Sequence, residues 1–112
     1  MSESPPSEDS EPIKARIVEQ VCSSQIRITL HAHQEMVAEN FSMDDTLAAL
    51  SQSERLENYP DHKRGACALF NGTTLDERPV HIVCTTGNPV LIVITVYEPK
   101  PPKWRTPTQR NC

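Results

Sequence analysis

The chain has 112 residues, four cysteines and a formal net charge of −4, and its length favours a single domain. The longest apolar run, Val90 to Ile94, is far shorter than the roughly 20 residues that a membrane-spanning helix needs. The first residues have neither the positive charge nor the apolar stretch of a secretory signal. We therefore expect a cytoplasmic protein that has no membrane partner.

Charge and composition divide the chain into three parts. Residues 1–12 contain four acidic residues and no basic one, and their Ser, Pro and Glu content is typical of a disordered tail. Residues 13–98 have the pattern of one folded domain. Residues 99–112 contain four basic residues, no acidic one and several prolines, which favours an extended segment. We expect this basic extension to pack on the domain across the sheet edge, with Trp104 as its anchor.

Three helices are predicted in the first half of the chain. Ile13 and the apolar residues that follow it recur at helical spacing to about Ser24. After a short extended link over residues 26–30, Thr29 stands where an N-cap would precede a helix that ends near Asn40. Ser42, with an acidic residue three positions on, forms an imperfect capping box that opens the third helix.

Four strands are predicted after Ser53, over Arg55–Tyr59, Ala66–Phe70, Val80–Thr85 and Val90–Tyr97. Asn71-Gly72 is a turn signal after the second of them. The short loops between successive strands predict an antiparallel meander. Because the helices precede the strands, we expect an α+β fold in which the helices cover one face of a four-stranded antiparallel sheet.

Alternation of side chains along the last two strands predicts which residues share a face of the sheet. Strict alternation places Ile82 and Cys84 on a wholly apolar face against the helices, together with Val90, Ile92, Ile94 and Val96. The opposite face then combines polar and apolar groups, as a binding face does. This second face would carry His81, Val83 and Thr85 with Leu91, Val93, Thr95 and Tyr97.

Several motifs occur in an order that resembles a known family. They are Thr29-Leu30-His31-Ala32 with Met36, Glu57-Asn58-Tyr59-Pro60, Gly72, Arg78-Pro79-Val80-His81-Ile82-Val83, Thr95-Val96-Tyr97-Glu98-Pro99 and Trp104. The combination is similar to a family of small uncharacterised prokaryotic domains that are commonly encoded beside a YgiT-type zinc-finger antitoxin. That family is similar in fold to RelE-like toxins, among which MqsR is a characterised protein of similar type. The resemblance runs from about Arg27 to Arg110.

The resemblance implies the toxin of a type II toxin–antitoxin pair, acting on mRNA as a metal-independent endoribonuclease. It implies a RelE-like fold, RNA as the substrate and a YgiT-type zinc-finger antitoxin as the partner. It also implies arginines on the helix after His31, where this chain carries Glu35 and Glu39. This difference lowers the positive charge near the expected site and makes Glu35 a candidate base.

Cleavage of RNA without a metal needs a base for the ribose 2′-hydroxyl, an acid for the leaving oxygen and a cation for the phosphate. General acid–base catalysis contributes about 10²–10⁴-fold; histidine titrates nearest neutral pH, and arginine holds phosphate through a forked guanidinium. The candidate catalytic residues are His31, Glu35, His81 and Tyr97. The candidate substrate-binding residues are Tyr59, Arg78, Lys103, Trp104 and Arg110.

Other interpretations of these residues stay open. Glu35 and Arg78 are also typical of solvated surface positions, and Trp104 is typical of a core anchor. His31 and His33 are two positions apart, so on a helix they point to different sides, and no C-x-x-C pair is present; we expect no metal site and no cofactor. The alternative function is a non-enzymatic protein-interaction module on the same fold.

Overall fold

The computed structural model describes residues 7–63, 65–101 and 104–110. Residues 1–6 of the expected disordered tail and the candidate Lys103 lie outside the described residues. The helices of the described chain are α1 (Ser7–Cys22), α2 (Leu30–Glu39) and α3 (Met43–Ser51). Its strands are β1 (Ile26–Ile28), β2 (Glu54–Tyr59), β3 (Cys67–Thr73), β4 (Pro79–Thr85), β5 (Leu91–Tyr97), β6 (Trp104–Thr106) and β7 (Gln109–Arg110).

The starts of α2 and α3 follow from two hydroxyl side chains. The Thr29 Oγ1 accepts a hydrogen bond from the Ala32 N–H, and the Ser42 Oγ accepts one from the Asp45 N–H, each over 3.0 Å. Each side chain therefore satisfies a backbone donor that the helix itself leaves without a partner. Both predicted N-caps are confirmed. By contrast, α1 begins at Ser7, six residues before the predicted start at Ile13.

The main sheet has five strands in the order β1-β5-β4-β3-β2. Strands β2 to β5 form the predicted antiparallel meander. The segment predicted as an extended link is instead strand β1, which pairs in parallel with β5 through Ile26 opposite Leu91. The α+β class is confirmed, whereas the four-stranded antiparallel sheet is corrected to a five-stranded mixed one. Ile26 and Ile28 pack against the core, so burial of these side chains holds β1 at the sheet edge.

The turn predicted at Asn71-Gly72 was wrong, because both residues lie inside β3. The chain reverses later, where Thr74 O–H donates to the Asp76 carboxylate and Glu77 has a φ of 67°. Gly72 serves a different purpose: a Cβ at this position would lie 2.5 Å from the Ala49 carbonyl oxygen of α3. Glycine therefore allows the backbone of α3 to approach the sheet closely.

A β-bulge at Ile94 shifts the faces of β5. Val83 lies opposite Thr95, whereas the next residue, Cys84, lies opposite Val93. Ile94 is therefore the extra residue, and a bulge reverses the alternation of side chains on one side of it. The predicted face for Leu91 and Val93 was wrong, because both are fully buried in the core with the helices.

The core lies between the helices and one face of the sheet. Ile17 of α1, Met36 of α2 and Leu50 of α3 belong to one buried cluster with residues of the three central strands. The sheet contributes Ala68, Phe70, Val80, Ile82, Cys84, Leu91, Val93 and Val96 to this cluster. Outside it, the side-chain amide of Gln20 on α1 donates to the Asn88 and Pro89 carbonyls, which ties α1 to the loop between β4 and β5.

The β6–β7 hairpin, residues 104–110, lies on the face of the sheet opposite the helices. It pairs Trp104 with Arg110, and the buried indole ring packs edge-on against the His81 ring with 4.4 Å between centroids. His81 points to this face because side chains alternate along a strand and its neighbours Val80 and Ile82 both belong to the core cluster. The extension was expected across the sheet edge, and the structure instead places the hairpin over a central strand.

Candidate functional site

Two of the candidate catalytic residues form an exposed pair on the first two turns of α2. The His31 Nε2 lies 3.4 Å from the Glu35 Oε2, with the two residues one helical turn apart. The His31 side chain is 67% exposed and the Glu35 side chain 24%. We call this pair the α2 dyad. A histidine that acts as a base is usually held in one orientation by a carboxylate. Here the Glu35 carboxylate can hold the His31 imidazole, which remains open to solvent.

Glu35 is fixed at its other oxygen by the backbone of β5. Its Oε1 accepts a hydrogen bond from the Val96 N–H over 2.9 Å. Strand β1 ends at Ile28, opposite Val93, so among the described residues no strand lies beside the following residues of β5 on this edge. Thr29 continues this edge, because its N–H donates to the Val93 carbonyl and its hydroxyl to that of Ile94. The dyad therefore stands on a short stretch of sheet edge that side chains of α2 and its cap complete.

The electrostatics of this position favour an anion beside His31. The first backbone N–H groups of an α-helix have no acceptor within the helix, and the helix dipole places partial positive charge there. Leu30 and His31 are the first two residues of α2, and Thr29 takes up only the Ala32 N–H with its side chain. A phosphate oxygen bound at this end would accept hydrogen bonds from these backbone donors.

The other two candidate catalytic residues belong to a buried group on the opposite face of the sheet. His81 has no exposed surface; its Nδ1 lies 3.1 Å from the Tyr97 hydroxyl and its Nε2 lies 2.6 Å from the Pro107 carbonyl oxygen. The Trp104 Nε1–H donates to the same hydroxyl over 3.2 Å. We call these residues the His81 cluster. The hairpin covers it, so a substrate reaches His81 only when the hairpin moves away.

Arg78 was proposed as a phosphate ligand, and the structure places its guanidinium against protein groups. It donates to the Glu39 and Asn40 carbonyls at the end of α2, at 2.8 and 3.2 Å, and to the Glu98 Oε1 at 3.0 Å. Its carbon Cζ also lies 4.1 Å from the centroid of the Phe41 ring. The guanidinium thus satisfies carbonyl groups that are left without partners at the C-terminal end of α2. The role of Arg78 in this structure is therefore structural.

The remaining candidates are spread over the molecule. Tyr59 ends β2, at the sheet edge opposite to β1, and its hydroxyl donates to the Glu57 carboxylate. Trp104 belongs to the His81 cluster, and Arg110 lies on β7, with a side chain outside the described ones. The structure therefore brings the candidates together in two groups, the α2 dyad and the His81 cluster, on different sides of β5.

Comparison with known proteins identifies the family. The family model described as Domain of unknown function (DUF4258) matches residues 28–98. The chain belongs to the DUF4258 family. No curated protein and no solved structure matches the chain.

The DUF4258 match includes the α2 dyad, Arg78, His81 and Tyr97, whereas the hairpin with Trp104 and Pro107 follows the matched residues. The described residues contain no helix that could span a membrane. Within the same part of the chain, no three His, Cys, Asp or Glu side chains are placed to hold a metal ion. The matched region thus contains the α2 dyad and, from the His81 cluster, His81 and Tyr97. The hairpin that covers His81 lies after the matched region.

Sequence reasoning missed three groups that define these sites. They are the Val96 N–H that holds Glu35, the Thr29 hydroxyl that bonds to β5 and the Pro107 carbonyl that meets His81. The i, i+4 spacing of His31 and Glu35 was the one available signal for the dyad, since residues four apart are neighbours on a helix. Backbone groups carry no side-chain signature, so neither the Val96 donor nor the Pro107 acceptor could be found from the sequence.

Proposed function

We propose that the α2 dyad is the proton-transfer site of a metal-independent endoribonuclease, the toxin of a type II toxin–antitoxin pair. The observation that supports this most strongly is the exposed His31 imidazole beside Glu35, at the positive end of α2. The α+β fold and the DUF4258 membership are compatible with a RelE-like toxin. The substrate would be mRNA, and the partner an antitoxin of the YgiT zinc-finger type.

In the proposed reaction His31 takes the proton of a ribose 2′-hydroxyl, and the resulting oxygen attacks the adjacent phosphorus. Glu35 keeps the imidazole oriented and stabilises its protonated form. Backbone donors at the start of α2 contact the phosphate oxygens, which gain charge as the bond forms. The bond between phosphorus and the 5′ oxygen then breaks, and this oxygen takes a proton from water, which gives a 2′,3′-cyclic phosphate and a 5′-hydroxyl end.

The test compares purified variants on an mRNA fragment, with and without ribosomes. His31→Ala should lower kcat/KM by about 10²–10⁴-fold, the usual contribution of a general base, and Glu35→Gln should lower it less. His33→Ala is the matched control, because His33 is an exposed histidine on the same helix, and it should cleave as the wild type does. RNA with a 2′-deoxy residue at the cleaved position should remain intact.

A His31→Ala variant that is as active as the wild type would refute the α2 dyad as the site. RNA that stays intact with the wild type and every variant under both conditions would refute the ribonuclease assignment. His81→Gln separates the two groups of candidates. Because His81 is buried under the hairpin, this variant should retain activity if the dyad is the site, whereas a loss equal to that of His31→Ala would move the site to the His81 cluster.

A second candidate function is a protein-interaction module on the same fold. It is favoured by two apolar side chains on the outer face of α2, Leu30 and Val37, which are 72% and 68% exposed. Apolar residues seven apart lie on one side of a helix, so a single partner surface would bury both side chains. A neighbouring reading frame with two C-x-x-C pairs would favour the toxin, while a harmless chain that binds a partner through this surface would favour the module.

A further inference from the structure

A polar cavity lies at the start of β2, where the end of α3 leads into the sheet. Its volume is ≈ 350 Å³, near the lower end of the range for small-molecule sites. The described residues that line it are Gln52, Glu54, Asn71, Gly72 and Thr73. All of them except the glycine have side chains that accept hydrogen bonds, and Glu54 is the only charged one. The described lining is therefore rich in acceptors and negatively charged.

One of these acceptors is buried without a partner. The side-chain oxygen Oδ1 of Asn71 is buried and accepts no hydrogen bond. Most buried polar groups in proteins are hydrogen-bonded, because a buried acceptor that has lost water and found no donor destabilises the fold. The Asn71 Oδ1 therefore has room for a donor that the described part of the chain does not supply.

Glu54 adds a negative charge on the neighbouring strand. It is the cross-strand partner of Asn71, and the Cβ atoms of such partners are about 4.5–5.5 Å apart on the same face of a sheet. Glu54 is exposed, and its carboxylate forms no ion pair with a described residue. A cation with several N–H groups matches this pair, since the carboxylate takes a charge-assisted hydrogen bond and the amide oxygen takes a second one.

We propose that this cavity binds an organic cation that carries several N–H donors, namely a guanidinium or a primary ammonium group. Its N–H groups bond to the Glu54 carboxylate and to the Asn71 Oδ1. The side chains of Gln52 and Thr73 are exposed, and exposed side chains change rotamer within nanoseconds, which opens a path to the buried oxygen. The cavity adjoins β2, at the opposite edge of the sheet from β1 and β5, so the proposal does not depend on the ribonuclease assignment.

The test titrates the isotope-labelled full chain with methylguanidinium chloride at constant ionic strength and follows the amide NMR signals. Saturable shifts are expected at residues 52–54 and 71–73, with a dissociation constant on the order of 10 mM for so small a ligand. Tetramethylammonium carries the charge without an N–H group, and calcium is a cation that prefers oxygen ligands in larger number. Neither chloride salt should shift these signals in a saturable way.

A capped Gly-Arg-Gly peptide identifies the source of the cation. If the peptide binds at least as tightly as methylguanidinium, the site takes an arginine side chain of a polypeptide. If the peptide is excluded while methylguanidinium binds, the site takes a free guanidine or amine. Both results support a cation site.

Variants test the two acceptors separately. Glu54→Gln retains the size and removes the charge, so the affinity for methylguanidinium should fall at least about tenfold. Glu19→Gln makes the same change at an exposed glutamate of α1 and should bind as the wild type does. Asn71→Leu should bind about two- to tenfold more weakly. Without ligand it should unfold at a higher urea concentration than the wild type, because a buried acceptor without a partner has been removed.

The proposal is overturned if methylguanidinium causes no saturable shift, if tetramethylammonium or calcium shifts the same signals, or if Glu54→Gln binds as the wild type does. It is also overturned if Asn71→Leu binds as the wild type does and unfolds at a lower urea concentration. The oxygen would then have a structural partner in solution, such as a buried water. Glu54 is exposed, so Glu54→Gln should fold and decides the question even if Asn71→Leu does not.

Discussion

Arg78 shows how a single side chain can unite distant parts of a small domain. Its guanidinium joins the last carbonyls of α2, the Glu98 carboxylate after β5 and the ring of Phe41. Arg78→Met keeps the apolar stem and removes these polar contacts, so we expect the free energy of unfolding to fall by about 1–3 kcal/mol. Urea denaturation measures the change.

The control for Arg78 is Arg27→Met, because Arg27 is exposed on β1. An exposed charge of this kind contributes about 0–1 kcal/mol, so this variant should unfold close to the wild type. Equal midpoints for the two variants would show that the contacts of Arg78 add nothing to stability. The default sequence interpretation of Arg78, a solvated loop arginine, misses these contacts because the groups it bonds to are mainly backbone carbonyls.

At the same scale, the sequence indicates which residues are neighbours on a helix, but not what surrounds a buried side chain. His31 and Glu35 were both proposed, and their spacing is enough to place them side by side. His81 was proposed from its position in a strand, but its complete burial depends on where a proline-rich segment turns back. That path is determined by Trp104 and Pro107 contacts across the sheet, which leave no periodic signal in the sequence.

The contact between α3 and β3 gives a prediction for secondary-structure elements. Gly72→Ala would place a methyl group 2.5 Å from the Ala49 carbonyl oxygen and 2.9 Å from its carbon, so the helix or the strand must shift. We expect a loss of about 1–3 kcal/mol in the free energy of unfolding, typical of overpacking. Chemical denaturation followed by circular dichroism measures it.

Gly87→Ala is the matched control for this contact, since nothing lies within 4 Å of a Cβ at that position. It should unfold at or above the wild-type midpoint, because alanine reduces the entropy of the unfolded chain. If both alanine variants unfold at the same denaturant concentration, close packing of α3 on Gly72 is not what this glycine provides.

The elements themselves could largely be predicted, and their pairing only in part. Hydroxyl caps and periodic apolar residues located α2 and α3 within a residue or two. The link at Ile26 to Ile28 was too short to be recognised as a strand, and a parallel partner far along the chain gives no local turn signal. Asn71-Gly72 predicted a turn because Asn-Gly is typical of tight turns. In the structure the glycine is instead required by the close approach of α3 to β3.

For the whole molecule, the topology predicts the order of folding. Strands β2 to β5 pair with their neighbours in sequence, whereas β1 pairs Ile26 with Leu91 across most of the chain. Contacts between distant residues carry a larger loop-closure cost, so the meander should form before β1 docks. Ile82→Val in β4 should therefore slow folding, while Ile28→Ala in β1 should mainly speed unfolding.

Stopped-flow folding and unfolding in urea measures both rates for each variant. We expect a φ-value of about 0.5 or above for Ile82→Val and a φ-value of about 0 for Ile28→Ala. An Ile28→Ala variant that folds slowly and unfolds at the wild-type rate would place β1 in the folding nucleus and contradict this order.

The bulge at Ile94 bears on how chains of this type should be aligned. Elsewhere in a strand, gaining or losing one residue moves every following side chain to the wrong face. Ile94 is the extra residue of the bulge. Leu91 and Val93 before it and Val96 after it therefore all face the helices. In a relative without this residue, side chains would alternate strictly along β5, and the counterparts of Leu91, Val93 and Val96 would remain on the buried face. Single-residue gaps in an alignment of DUF4258 domains are therefore expected at this point of β5, with the neighbouring apolar positions unchanged.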